Sequence, residues 1–193
     1  ATITLFAVWT PNSYTVRYHP NGGMGSTNSS SHTYDEPKAL SPNGFTRVGY
    51  TFAGWATGTG GAAVYTDEGS VSNLTAEDGA EVTLYAVWTP HIYTISYDAN
   101  GGTGSTASSS HTYDVAKELT PNSFTKTGYT FAGWAASAEG DIAYTDEASV
   151  SNLASENGAT VTLYAVWTPN TYTVQYDANG GTGSTASSSH TYD

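Results

Sequence analysis

Apolar and polar positions alternate along the chain in short runs, each bounded by glycine, asparagine or proline. In YTISYDAN, Tyr93, Ile95 and Tyr97 fall on one side and Thr94 and Ser96 on the other, the period-two signature of a half-buried strand. Asn100-Gly101-Gly102 follows as a turn signal, since these residues tolerate positive φ. TGSTASSS then offers eight small residues with nothing to bury and reads as an exposed loop. HTYD with the region from Lys117 to Leu119 predicts a second, shorter strand ended by Pro121-Asn122. GYTFAGWA predicts a third, IAYTD a fourth and VTLYAVWT the last, with Val161, Leu163, Ala165 and Trp167 on one face. DEASVSNLASENG has room for a short helix or 3₁₀ turn, and its Ser and Asn content argues against a longer one. At most five short strands rich in aromatic and β-branched residues make a mainly β fold, α+β at most.

This pattern recurs. Trp9, Trp88 and Trp167 are 79 residues apart, as are Tyr14, Tyr93 and Tyr172, and His32, His111 and His190. A fixed period of this size marks a tandem array. Residues 12–90 and 91–169 are two full units, about two thirds identical, with no insertion or deletion between them. Residues 1–11 read as the end of a preceding repeat and residues 170–193 as the start of a following one, and residues 176–193 duplicate residues 97–114 without a change. The sequence is thus expected to be a window on a longer repetitive chain. The link Thr89-Pro90-His91-Ile92 spans about 13 Å at most and is stiffened by proline, which predicts closely spaced units in a rod or fibre. An isolated strand or hairpin is marginal in water, so both terminal segments are expected to be held by neighbouring units, through strand addition or lateral packing.

Composition narrows the function. A net charge of -12, from 17 acidic and 5 basic residues, argues against a nucleic-acid partner or an anionic membrane surface, both of which are recognised through Lys and Arg. No apolar run is long enough to insert this segment into a bilayer as a helix. The chain has no cysteine, which excludes disulfides and thiolate chemistry. Stability must come from aromatic and aliphatic burial and from contacts with neighbouring repeats.

YTISYDANGG, GYTFAGW and VTLYAVWTP, in that order and spacing, resemble the InlB B-repeat family, also called the Listeria-Bacteroides repeat. The resemblance covers each whole unit. It implies tandem small β-grasp-like domains without enzymatic activity, in secreted and wall-attached bacterial surface proteins. The units are somewhat longer than the family pattern, with the excess assigned to the Ser-rich loop and to the region of Glu139 and Gly140.

Each candidate for chemistry has a plainer reading. Ser110, His111 and Asp114 supply the residue types of a hydrolase triad, but adjacent strand residues face opposite ways and no nucleophile-elbow glycines are present, so His111 reads as structural. His19 and His91 have no counterparts one period away and read as surface residues. Asp98 and Asn100 resemble the start of a calcium loop without its run of oxygen ligands, and Asp67-Glu68 and Asp146-Glu147 read as solvated turns. Lys38 and Lys117 with Asn73 and Asn152 raise the question of an intramolecular isopeptide bond. Asn28 and Asn73 fit the N-glycosylation pattern once each, without repetition. Trp55, Trp134, Trp88 and Trp167 lie in the most strand-like phrases and are expected in the core, leaving no evident sugar-binding face.

No catalytic, cofactor or metal residue is therefore assigned. The sequence predicts a structural tandem-repeat segment of a bacterial extracellular or cell-surface protein, acting as stalk, spacer or fibre body, with an adhesin module that binds host protein or glycan as the alternative. Its expected partners are neighbouring repeats of the same chain, with self-association into filaments. Near-identical units suit a role in which length and regularity matter more than one specific site.

Overall fold

The computed structural model describes all 193 residues, and the chain divides into two compact units, Ala1–Pro90 and His91–Asp193. In the first unit the strands are β1 (Ser13–His19), β2 (Met24–Gly25), β3 (Ser30–Thr33), β4 (Lys38–Ala39), β5 (Phe45–Thr46), β6 (Tyr50–Ala56), β7 (Ser70–Val71) and β8 (Ala80–Pro90). Four of them form a mixed sheet in the order β3-β1-β8-β6. Strands β1 and β3 pair as an antiparallel hairpin, β8 returns parallel to β1 with Tyr14 opposite Ala80 through His19 opposite Tyr85, and β6 closes the other edge antiparallel to β8. Parallel pairing forces the chain to cross from one end of the sheet to the other. Here that crossover contains no helix, and two-residue ladders of β2 with β5 and β4 with β7 brace it.

The alternation read from sequence sets which face is buried. Tyr14, Val16, Leu84, Ala86 and Trp55 project from the sheet into one core, and Leu40, Phe45 and Val71 close it from the crossover. Trp55 is fully buried among the rings of Tyr18, Phe52 and Phe45, at centroid distances of 4.7, 4.8 and 6.1 Å and in tilted or edge-on geometries that aromatic quadrupoles favour.

The second unit repeats this plan with β9 (Ile92–Asp98), β10 (Ser109–Thr112), β11 (Lys117–Glu118), β12 (Tyr129–Ala135), β13 (Ser149–Val150) and β14 (Thr160–Pro169). Its sheet runs β10-β9-β14-β12, and Trp134 takes the central place beside Tyr97, Phe131 and Phe124. A separate hairpin follows, β15 (Thr171–Val174) with β16 (Ser188–Thr191).

Several expectations are corrected. The stretch with room for a helix holds only turns and β13, which pairs with β11, because its Ser, Asn and Gly residues favour local turns over helix. IAYTD is not a strand: only Tyr144 bridges to Trp134, its backbone being drawn in by the bulge opposite. HTYD and Lys117 belong to different sheets, separated by a turn in which Asp114 adopts φ 61°. The small ladders also take the count beyond five. Residues 1–11 form no strand, and Leu5, Val8 and Trp9 are about nine-tenths exposed, so this segment is not held as expected.

Two backbone devices fix the sheet. The turn at Asn100 has φ 45°, and its side-chain Nδ2 donates to the carbonyl of Ala165 at 3.0 Å, pinning the turn to the central strand, as Asn21 does to Ala86. At Gly102 a Cβ would stand 2.7 Å from Cζ2 of Trp167, whose Nε1 donates to the Ala99 carbonyl, so the glycine makes room for the indole. In β12 the register slips between Phe131 and Gly133, where a bulge turns Trp134 into the core. Gly133 has φ 149°, and a Cβ there would meet the Tyr144 carbonyl oxygen at 2.7 Å. Gly133→Ala is therefore expected to lower the unfolding free energy by about 2–4 kcal/mol in urea titrations, through backbone strain and displacement of the crossover. A change below about 0.5 kcal/mol would contradict this role for the bulge.

Candidate functional site: the joint after the second repeat

The residues singled out by chemistry turn out to be engaged structurally. His111 is 1% exposed, stacks on Tyr93 with ring centroids 5.5 Å apart, and shares a hydrogen bond between Nε2 and Ser109 Oγ at 2.9 Å. The serine is thus two residues away on the same face, not adjacent Ser110, and Nδ1 has no hydrogen-bond partner, so no carboxylate completes a triad. His32, Ser30 and Tyr14 repeat this arrangement. Burial, assisted by Lys38 and Lys117, lowers the pKa of both imidazoles below the ordinary 6.5. Lys38 and Lys117 donate to the carbonyls of Ser31 and Ser110, while Asn73 and Asn152 exchange hydrogen bonds with Asp35 and Asp114, an arrangement that does not present lysine to asparagine. Asp98 accepts from the Asn100 amide, and Asp67 and Asp146 from the amides of Asn43 and Asn122. His19 is exposed, whereas His91 is half-buried with Nδ1 2.6 Å from the Ser155 carbonyl oxygen. Trp88 and Trp167 are half-buried and donate to Pro20 and Ala99.

A further arrangement lies where β14 passes into the following hairpin. The last ladder pair of β12 and β14 is Tyr129 opposite Pro169, and the amide of the next residue, Asn170, donates to the Gly128 carbonyl at 2.8 Å. The carbonyl of Asn170 then accepts from the amide of Tyr192 at 2.9 Å, which closes the hairpin. Its side-chain Oδ1 accepts from Thr130 Oγ1 at 2.7 Å. One residue thus belongs to the ladder of one repeat and the hairpin of the next, leaving no slack between them. The same hairpin closure is made by Tyr34 on Asn12 and by Tyr113 on His91.

Side chains complete the joint. Tyr192 packs edge-on against Tyr129, with centroids 5.7 Å apart and planes at 78°, and lies against Gly128, where a Cβ would collide with its ring. Lys126 Nζ stands 4.3 Å from the centroid of the Tyr129 ring, a cation–π contact. A tight turn produces this geometry: the Tyr129 amide donates to the Lys126 carbonyl at 3.0 Å, and Gly128 supplies φ 81°. In the first unit Arg47 stands over Tyr50 in the same way, 3.7 Å from the ring centroid, across a turn with Gly49 at φ 75°. Sequence reasoning missed this constellation. Its signal was present, since cation-x-Gly-Tyr recurs in both units and a tyrosine in all three copies of HTYD.

The comparisons with known proteins agree with this repetitive design. The profile of the Listeria-Bacteroides repeat domain matches residues 14–87 and 93–166. The chain is 32% identical, over 92% of its length, to a protein of Evansella cellulosilytica named putative Gly-rich membrane protein, of which it covers 20%. A second protein of that organism, named putative membrane protein, is 31% identical over 93% of the chain and is covered to 24%. Internalin H of Listeria monocytogenes is 32% identical over 67% of the chain, which covers 21% of it. The chain thus spans a fifth to a quarter of the length of these curated relatives.

Two outcomes follow from this geometry. Tyr192→Ala is expected to speed hydrogen exchange of the β15–β16 amides about tenfold, equivalent to about 1.4 kcal/mol, with β14 unaffected; unchanged exchange would show that the ring contact does not hold the hairpin. For the buried histidines the native state favours the neutral ring, so below pH 6.5 the unfolded chain binds protons more readily. Stability is therefore complete above pH 6.5 and falls as the pH drops through the native pKa values. Thermal unfolding between pH 6.5 and about 5, above the carboxylate range, should show a slope that His32→Gln with His111→Gln removes.

Proposed function

Because the chain belongs to the Listeria-Bacteroides repeat domain family, we propose that it is a structural segment of a longer bacterial cell-surface protein, a stalk or spacer of tandem repeats that transmits tension. The observation that carries this reading is the parallel pairing of the first and last strands of each repeat. Tension entering before Ser13 and leaving after Pro90 pulls β1 and β8 in opposite directions along a shared axis. The ladder from Tyr14–Ala80 to His19–Tyr85 then resists in shear, its bonds loaded together instead of opened one at a time. The joint at Asn170 suits the same task, since it couples one repeat's ladder to the next repeat's hairpin without a flexible linker.

The strand order, with the parallel pair at the centre, supports a β-grasp-like reading in which small ladders take the place of the crossover helix. The naming of two relatives as membrane proteins and of a third as an internalin supports an extracellular, surface-attached setting. No catalytic role is proposed: in the two complete repeats the Ser30–His32 and Ser109–His111 pairs hold buried imidazoles whose Nδ1 atoms have no hydrogen-bond partner.

Single-molecule stretching of the full chain tests the proposal. Each complete repeat is expected to unfold in one event that releases about 24 nm, the extended length of its residues less the native strand length. Gradual extension without discrete events would overturn the tension-bearing reading.

A further inference from the structure

In the first unit a line of hydrogen bonds with a fixed direction ends on a buried imidazole. The amide of Ser41 donates to the Tyr18 hydroxyl at 2.8 Å, that hydroxyl lies 3.2 Å from Ser30 Oγ, and Ser30 Oγ lies 2.8 Å from His32 Nε2. A backbone amide can only donate. With Tyr18 O–H turned to Ser30 and Ser30 O–H turned to His32, each hydroxyl both accepts and donates, and Nε2 is the acceptor at the end. The network thus assigns the neutral ring with its proton on Nδ1. In the second unit the Thr120 amide donates to the Tyr97 hydroxyl at 2.8 Å, and Ser109 Oγ meets His111 Nε2 at 2.9 Å.

A proton added at Nε2 has no place in this line. Nε2–H must then donate to Ser30 Oγ, and either the serine or the tyrosine proton loses its acceptor. The new charge sits on a buried ring whose Nδ1 already lacks a hydrogen-bond partner. The groups that face it supply no counter-charge: Tyr14 of β1 stacks on it at 5.4 Å, Tyr18 of β1 reaches it through Ser30, and Lys38 of β4 adds a like charge. His111 meets Tyr93 of β9 and the charge of Lys117 of β11 in the same way. The strand that carries each histidine is also the one best able to leave, since β3 and β10 are four-residue edge strands with a single ladder neighbour. Lys38 and Lys117 tie them to the crossover through the Ser31 and Ser110 carbonyls, and β3 is tied again through Tyr18 to Ser41.

We propose that His32 and His111 are proton-operated latches: protonation of the ring releases β3 from β1, and β10 from β9, while the parallel ladder at the centre of each sheet stays closed. Release carries the imidazolium into water, where both N–H groups are hydrated and the hydroxyls are free to reorient. Acid thereby bares the outer edge of the first strand of each repeat, and neutral pH covers it again. The opening is local, and so differs from the loss of overall stability that follows whenever a neutral buried histidine is charged by unfolding.

The test is residue-resolved hydrogen exchange of the full 193-residue chain, read as protection relative to unstructured peptide, with the imidazoles titrated by NMR in the same samples. From about pH 7 to about pH 5, protection in β3 and β10 should fall at least about tenfold and by more than in β8 and β14. The midpoint of that fall should coincide with the titration of His32 and His111. In the double variant His32→Gln with His111→Gln the fall should vanish, a comparison of two pH values within one protein that a lower stability of the variant leaves intact. Lys38→Gln with Lys117→Gln, which keeps both imidazoles, should move the midpoint to higher pH. A fall equal in all strands or confined to β8 and β14 would mean overall destabilisation alone and overturn the proposal. Unchanged protection across the interval, imidazoles that titrate with β3 and β10 still protected, or a fall that persists in the histidine double variant would each overturn it as well.

Discussion

Within each repeat, everything else is arranged around the parallel contact between the strand that opens it and the strand that closes it. Tyr14 lies opposite Ala80, and Thr94 opposite Thr160, so residues far apart in sequence meet at the centre of the sheet. Such a contact is entropically costly to close and must be supported by what the intervening chain buries. That chain therefore folds back over one face of the sheet, delivering Leu40, Phe45 and Val71, or Leu119, Phe124 and Val150, to the same core. The central position of β8 and β14 explains why VTLYAVWT is the most strongly patterned phrase in the sequence. It pairs with the first strand of the repeat along its first half and with β6 or β12 along its second, and its alternate residues, Leu84 with Ala86 and Leu163 with Ala165, are buried completely or nearly so.

The absence of cysteine and of helices places the stability of a small unit on rings and on a few backbone pins. One tryptophan per repeat is enclosed by three other aromatic rings, and a second is half-buried and anchored through its Nε1 to a turn carbonyl. Glycine serves this packing where a side chain would intrude, as at Gly102 beneath Trp167. The buried histidines belong to the same design. Stacked on Tyr14 and Tyr93 and hydrogen-bonded to serine, they fill space at the hairpin edge, and their lowered pKa values result from that burial.

Much of this was legible in the sequence. Alternation placed Tyr93, Ile95 and Tyr97 on one face and Val161, Leu163, Ala165 and Trp167 on another, and the period fixed the repeats. Pairing was not legible, because alternation specifies the face of a strand and says nothing of its neighbour or direction. The stretch around Ser149 kept a helical reading because two-residue ladders leave no periodic trace. Ser109 was overlooked in favour of Ser110 because adjacency in sequence is separation across a strand. The joint escaped for a different reason: Asn170, Gly128, Tyr129 and Tyr192 form one site only after β14 and β12 are paired.

The proposed tension-bearing role and the joint without slack rest on a single arrangement, in which the path of the chain enters and leaves each repeat through adjacent parallel strands. Native-state hydrogen exchange resolved by residue tests that claim most directly. If the parallel pair organises each unit, amides of β1 with β8 and of β9 with β14 exchange only through global unfolding, while those of the small ladders and the Ser-rich loops exchange through local opening. Protection that was greatest in the β1–β3 and β9–β10 hairpins, with β8 and β14 opening locally, would contradict it.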